Sequence, residues 1–73
     1  MNPSPANIGL LIGQTRKQQG LKQVELASFA DVSVRFLHEL EHGKASVELG
    51  LTLKVLNALG IKIQLTPPPP PDP

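Results

Sequence analysis

The sequence predicts a mostly α-helical domain that ends in a single short β-strand. Three observations carry this. Apolar residues recur at spacings of three and four from Ile8 to Leu59. Stop and start signals cut that stretch into pieces, at Gly20, at 31–33 and at 43–46. Beyond Gly60 the period drops to two, with Ile61, Ile63 and Leu65 alternating with Lys62 and Gln64 before a run of prolines.

The first seven residues, 1–7, are read as a flexible lead. Ser4 followed by Pro5 is a helix-start signal, since a hydroxyl can cap and proline has no N–H to lose there. Asn7 is a second candidate cap. The first helix runs to about Gln19 with Ile8, Leu11, Ile12 and Thr15 at helical spacing, and Gly20 closes it. A second helix spans about 23–29, with Val24, Leu26, Ala27 and Ala30 as its apolar stripes. Asp31 and Val32 make the turn, Ser33 caps a third helix over about 34–42, and 42–43 ends it. Ser46 is the expected cap of a fourth helix, with Glu48 in its first turn where the helix dipole favours an acid. Leu49, Leu53, Leu56 and Leu59 form one stripe of that helix and Leu51, Val55 and Ala58 another. Two stripes imply two buried faces, one toward the core and one toward a partner. Phe29 is assigned to the core or an interface, and Phe36 to the edge of the core.

A strand at 61–66 has no partner within the chain, and its N–H and C=O groups need one. The same strand of a second copy, related by a two-fold axis, is the economical solution. Leu51, Val55, Ile61, Ile63 and Leu65 are therefore the expected dimer contacts. The proline-rich tail, 67–73, cannot extend a sheet and is expected to be disordered, a solvated polyproline II segment.

The totals limit function. A chain of 73 residues is one domain, and one of this size buries only about 60% of its unfolded surface. It has no cysteine, so disulfides and thiolate metal sites are excluded, and a second subunit is the simplest added support. No stretch approaches the ~18 apolar residues that span a membrane, and no secretory leader is visible, so the expected location is cytoplasmic. Net charge is only +1, so placement of charge must carry any nucleic-acid argument. Two phenylalanines are the only aromatic residues, which argues against a stacking platform for single strands.

Placement points to the third helix. Val34, Arg35, His38 and Glu39 fall on one side and Leu37 and Leu40 on the other. A short helix pair of this kind lays its first helix across a DNA backbone and its second in the major groove. Arg35 could bond guanine O6 and N7 as a two-pronged donor; a phosphate contact or a solvated arginine are the alternatives. Val34 could touch a thymine methyl or pack on the second helix. Glu39 could accept from cytosine N4, though pairing with Arg35 at i,i+4 is the better reading. His38 could donate to a base or phosphate or simply be solvated. Gln23, at the start of the second helix, could hold a phosphate with its amide and the free N–H groups there. Lys22 and Lys44 flank the pair as phosphate contacts or surface lysines. His38 and His42 lack a third ligand, so no metal is expected. No catalytic constellation is present, and neither an enzyme nor a cofactor is expected.

The pattern Ile8, Ile12, Arg16, Gly20, Leu21, Lys22, Gln23, Leu26, Ala27, Val32, Ser33, Leu37, Leu40, Glu41, Gly43, Lys44 resembles the Xre/Cro phage-repressor type of helix-turn-helix domain, over residues 8–60. That resemblance implies a lambda-repressor-like fold, an ion pair between Arg16 and Glu41, a phosphate contact by Gln23 and Lys44, and base reading from Ser33, Val34, Arg35 and Glu39. Lys22 departs from the usual Ser or Thr cap, and Asp31 replaces a usual glycine. The stretch 46–65 narrows the match: it is similar to HipB-type antitoxins, including the Y4mF-like branch. The resemblance implies a homodimer whose C-terminal strands form an intersubunit sheet. It also implies a repressor of its own operon, bound to palindromic double-stranded operator DNA and to a HipA-type serine/threonine kinase toxin or split kinase subunits. The alternatives are a protein-binding adaptor and a stand-alone phage-type repressor without a toxin.

Overall fold

Ser4 starts the first helix, because its Oγ accepts from the Asn7 N–H at 3.0 Å and Pro5 takes the first helical position. The computed structural model describes residues 3–72 and contains four helices among them: α1 (Pro5–Gln18), α2 (Gln23–Ala30), α3 (Val34–Glu41) and α4 (Leu49–Leu59). The lead expected at 1–7 is thus shorter, since 5–7 are helical; Met1 and Asn2, and Pro73 of the tail, lie outside the described residues.

Each helix stops by the same device. Leu21 N–H bonds Arg16 C=O, Val32 N–H bonds Ala27 C=O, Lys44 N–H bonds Glu39 C=O and Ile61 N–H bonds Leu56 C=O, all at 2.9–3.1 Å. This six-residue closure needs a left-handed residue at its corner. Asp31 supplies it between α2 and α3 with φ 57, a conformation aspartate tolerates better than most residues. The tight turn so made is what angles α3 against α2.

The core is Ile12 from α1, Leu26, Ala27 and Ala30 from α2, Leu37 and Leu40 from α3, and Val55, Leu56 and Leu59 from α4. Ile12, Leu26, Leu37 and Val55 are fully buried, each worth about 1.5–3 kcal/mol relative to exposure. Ile8, Leu21, Val32, Phe36, Val47 and Ile61 close its rim. Helix α1 lies on α3 and α4, and α2 on α3 and α4.

Several expectations are corrected. Glu48, not Ser46, caps α4: its carboxylate accepts from Gly50 N–H at 2.9 Å and Leu51 N–H at 3.0 Å. Ser46 lies three residues before the first helical residue, out of register for a cap, whereas Glu48 directly precedes it and its two oxygens satisfy two free donors. The buried face of α4 is Thr52, Val55, Leu56 and Leu59, one helical stripe. Val55 therefore belongs to the core and cannot serve as a dimer contact, whereas Leu49 and Leu53 face outward. Phe29 lies on the outer side of α2, 71% exposed, and is not a core residue. Residues 61–65 form no strand in the single chain; a ladder needs a second strand, and the chain offers none among its described residues. Ile61 is partly buried, while Ile63 and Leu65 are exposed. No helix among the described residues is long and apolar enough to cross a membrane.

Helices α1 and α3 meet closely at Gly9. A Cβ there would stand 2.8 Å from Glu41 O and nearer still to Leu40 O. Gly9→Ala gains up to about 1 kcal/mol in helix propensity but forces the helices apart at about 1–3 kcal/mol, so a lower melting temperature is expected. A variant melting at or above the parent would contradict this packing.

Candidate nucleic-acid interface

Helix α3 has two unlike sides because its apolar residues fall at one helical phase. Leu37 and Leu40 are buried and Phe36 is half-buried against the core, while Val34, Arg35 and His38 stand in solvent. Eight residues make about 12 Å of helix, and the major groove is about 12 Å wide. Ser33 begins α3 with its Oγ accepting from Phe36 N–H at 2.9 Å, which leaves its hydroxyl hydrogen free to donate. His42, expected inside the helix, is its cap residue; its Nδ1 lies 2.7 Å from His38 O, and the two rings are 4.1 Å apart. Among the described residues no group of three His, Cys, Asp or Glu side chains could hold a metal ion.

Arg16 and Glu41 hold the pair of helices in place from below. Arg16 Nε donates to Glu41 Oε2 at 2.8 Å and Nη2 to Oε1 at 3.0 Å, while Nη1 donates to Leu21 O at 2.8 Å. Both side chains are about nine-tenths buried, at 10% and 8% exposure. One guanidinium thus joins α1, the α1–α2 turn and the end of α3. Burial pushes the Glu41 carboxyl up, but hydrogen bonds from Arg16 and Gln23, with the Arg16 charge, bring it below its ordinary value. The hydrogen bonds to Glu41 raise the Arg16 guanidinium, against an opposing effect of burial.

Gln23 belongs to the same network. Its Nε2 donates to Glu41 Oε1 at 3.2 Å, which orients the amide at the N-terminus of α2 and leaves its second N–H for an outside acceptor. Sequence reading placed Gln23 at this helix start but not against Glu41, because the two are far apart in the chain. Lys22 is exposed, and its backbone N–H donates to Glu25 Oε1 at 2.9 Å. Glu25 is a residue the sequence reading passed over, although an acid three places after a helix cap is a recognisable signal.

Glu39 is engaged on both oxygens. Arg35 Nε donates to Oε1 at 3.2 Å and Lys44 Nζ to Oε2 at 2.6 Å. These hydrogen bonds, that from Lys44 first, hold the Glu39 carboxyl below its ordinary value. The fold therefore gathers Gln23, Ser33, Val34, Arg35, His38, Glu39 and Lys44 around α3 and the start of α2. Leu51 is half-buried on α4, and Ile61, Ile63 and Leu65 continue from that helix's end, away from this gathering in the chain.

A helix-turn-helix family profile matches residues 12–65. An uncharacterized HTH-type transcriptional regulator, y4mF, of Sinorhizobium fredii (strain NBRC 101917 / NGR234) is 45% identical over 65 residues, 89% of this chain and 86% of that protein. Among solved structures, a chain of a HipA-HipB-O2-O3 complex superposes with a TM-score of 0.82 at 22% identity, covering 92% of this chain and 94% of its own. A chain of a HipB-O1-O2 complex gives 0.81 at 22% identity, covering 92% and 97%. At that identity the structural likeness speaks for the fold.

Proposed function

The chain belongs to the helix-turn-helix family, and from that premise we infer that it is a sequence-specific double-stranded DNA-binding repressor acting as a homodimer. The observation that carries the reading is the outward side of α3. Ser33, Val34, Arg35 and His38 are exposed there, on a helix whose opposite side is pinned by Leu37 and Leu40 and whose end is locked by Glu41. A side chain so supported can meet a base edge in a defined position. Arg35 is the chief base reader, with Val34 and Ser33 beside it. Gln23 and Lys22 serve phosphates and set the register.

One helix with one strong reader is a thin basis for specificity at a net charge of +1. Two copies related by a two-fold axis supply two recognition helices for a palindrome. In this reading residues 61–66 of the two copies pair as an intersubunit sheet, with Leu51, Ile61, Ile63 and Leu65 at the contact and the exposed Leu53 beside them. The finer proposal is an antitoxin of a HipBA-like system that represses its own operon and binds a HipA-type kinase or split kinase subunits. It is supported by the 45% identical regulator and by the fold shared with HipB chains bound in HipA-HipB-O2-O3 and HipB-O1-O2 complexes.

The test is selection of a binding site from a randomised duplex pool, followed by Arg35→Ala. Affinity for the selected duplex is expected to fall by about 1–3 kcal/mol, with relaxed preference at one base pair of each half-site. Unchanged affinity and preference would overturn the assignment. Co-purification with the product of an adjacent kinase-like gene would separate the antitoxin from a repressor that acts alone.

A further inference from the structure

We propose that Glu39 sets the DNA selectivity of α3 with the two oxygens of one carboxylate: one orients Arg35 toward a base edge, the other withholds the charge of Lys44 from phosphates. This rests on the DNA-binding reading above and deepens it.

The geometry is built by the end of α3. The Lys44 N–H closes on Glu39 C=O at 3.1 Å, with Gly43 in the left-handed region at φ 81. This turn carries the Lys44 side chain back over the last turn, where its Nζ meets Glu39 Oε2 at 2.6 Å. Arg35 lies one turn earlier on the same side and meets Oε1 at 3.2 Å. The two contacts differ in what they leave free. Arg35 is held through Nε, and among the described residues its terminal nitrogens bond nothing; the side chain is 90% exposed. Those terminal N–H groups are among the donors with which arginine meets guanine O6 and N7. Holding Nε restrains the guanidinium without occupying them. Lys44 is different, because its ammonium is itself the bonded group, and an ammonium beside a carboxylate attracts a phosphate less.

The electrostatic consequence follows. Two cations and one carboxylate leave this corner of the surface with one net positive charge. Binding to any DNA depends on the number of phosphates neutralised, while discrimination depends on base edges. Glu39 suppresses the first and supports the second. It is therefore a positioning and specificity-determining residue, not a reader of cytosine.

Glu39→Gln keeps the shape and removes the charge. The experiment measures binding of the parent, Glu39→Gln and Glu39→Gln/Lys44→Gln to the selected duplex and to a scrambled duplex over a salt series. Glu39→Gln is expected to bind the scrambled duplex about 10-fold more tightly at low salt, with a salt slope steeper by about one phosphate contact. Its preference at the base pair read by Arg35 should relax, because a neutral amide oxygen holds Arg35 Nε more weakly than a carboxylate does. The double variant should return to the parent's affinity for scrambled DNA but keep the relaxed preference, which separates the two roles. A Glu39→Gln protein with the parent's slope and preference would overturn this proposal while leaving DNA recognition intact. Failure of the parent to enrich any sequence would overturn both.

Discussion

Arg16→Ala is expected to destabilise the domain by about 3–5 kcal/mol, because it leaves the buried Glu41 carboxylate without its main partner. For a chain of this length that is a fall of roughly 12 °C or more in melting temperature, close to the whole stability of a small domain. Three groups lose bonds at once: both Glu41 oxygens and the Leu21 carbonyl. A double-mutant cycle with Glu41→Ala should give a coupling energy above about 1 kcal/mol. Additive losses would show that the pair does not act as a unit. The same site predicts an acid dependence. The Glu41 carboxyl titrates below its ordinary value in the fold, so the unfolded chain takes up its proton first as the pH falls. Its contribution is fully present above the unfolded carboxylate range and is lost as pH falls through the lower folded value. Glu39 is shifted in the same direction and adds to this. Melting measured from about pH 6 to about pH 3 should therefore show a steeper loss for the parent than for Glu41→Gln, although the variant starts lower. Parallel curves would refute the role given to Glu41.

Ile63→Pro is expected to dissociate the proposed dimer and so to remove most operator binding. Proline has no N–H for a ladder and is excluded from the interior of a paired strand. Within one chain Ile63 is 51% exposed and residues 61–65 are unpaired, so the substitution leaves the helical fold intact. Light scattering should report half the parental mass while the helical circular-dichroism signal is kept. Linked half-site readers gain about 10²–10⁴ in affinity from being joined, and a monomer forfeits that gain on a palindrome. A dimer of unchanged mass would remove the intersubunit sheet from consideration. The exposed Leu49 and Leu53 of α4 would then be the next place to look for the contact.

The helices were legible because their signals are local. Ser4 with Pro5, Gly20, Ser33 and Gly60 act within a few residues, and each stands at the helix end that the sequence indicates. The outward placement of Arg35 and His38 and the burial of Leu37 and Leu40 follow from one eight-residue phase. Helix α4 was harder. Its leucines surround it, so spacing alone allowed two buried stripes, and only contact with α1 and α2 decides that Val55 turns inward and Leu53 outward. Phe29 is similar: an aromatic side chain reads as core or interface, and the core has closed without it.

By itself, then, the sequence determined a helical domain with a helix-turn-helix pair, most of its element ends, and the side chains on the outer side of α3, since each depends on neighbours in the chain. The tertiary structure decided which face of α4 is core, how closely α1 meets α3 at Gly9, that Gln23 joins the Arg16–Glu41 pair, and that Glu39 engages two cations at once. Those depend on groups that meet only when the chain has folded, such as Gln23 and Glu41, 18 residues apart, and local periodicity carries no information about distances across the fold.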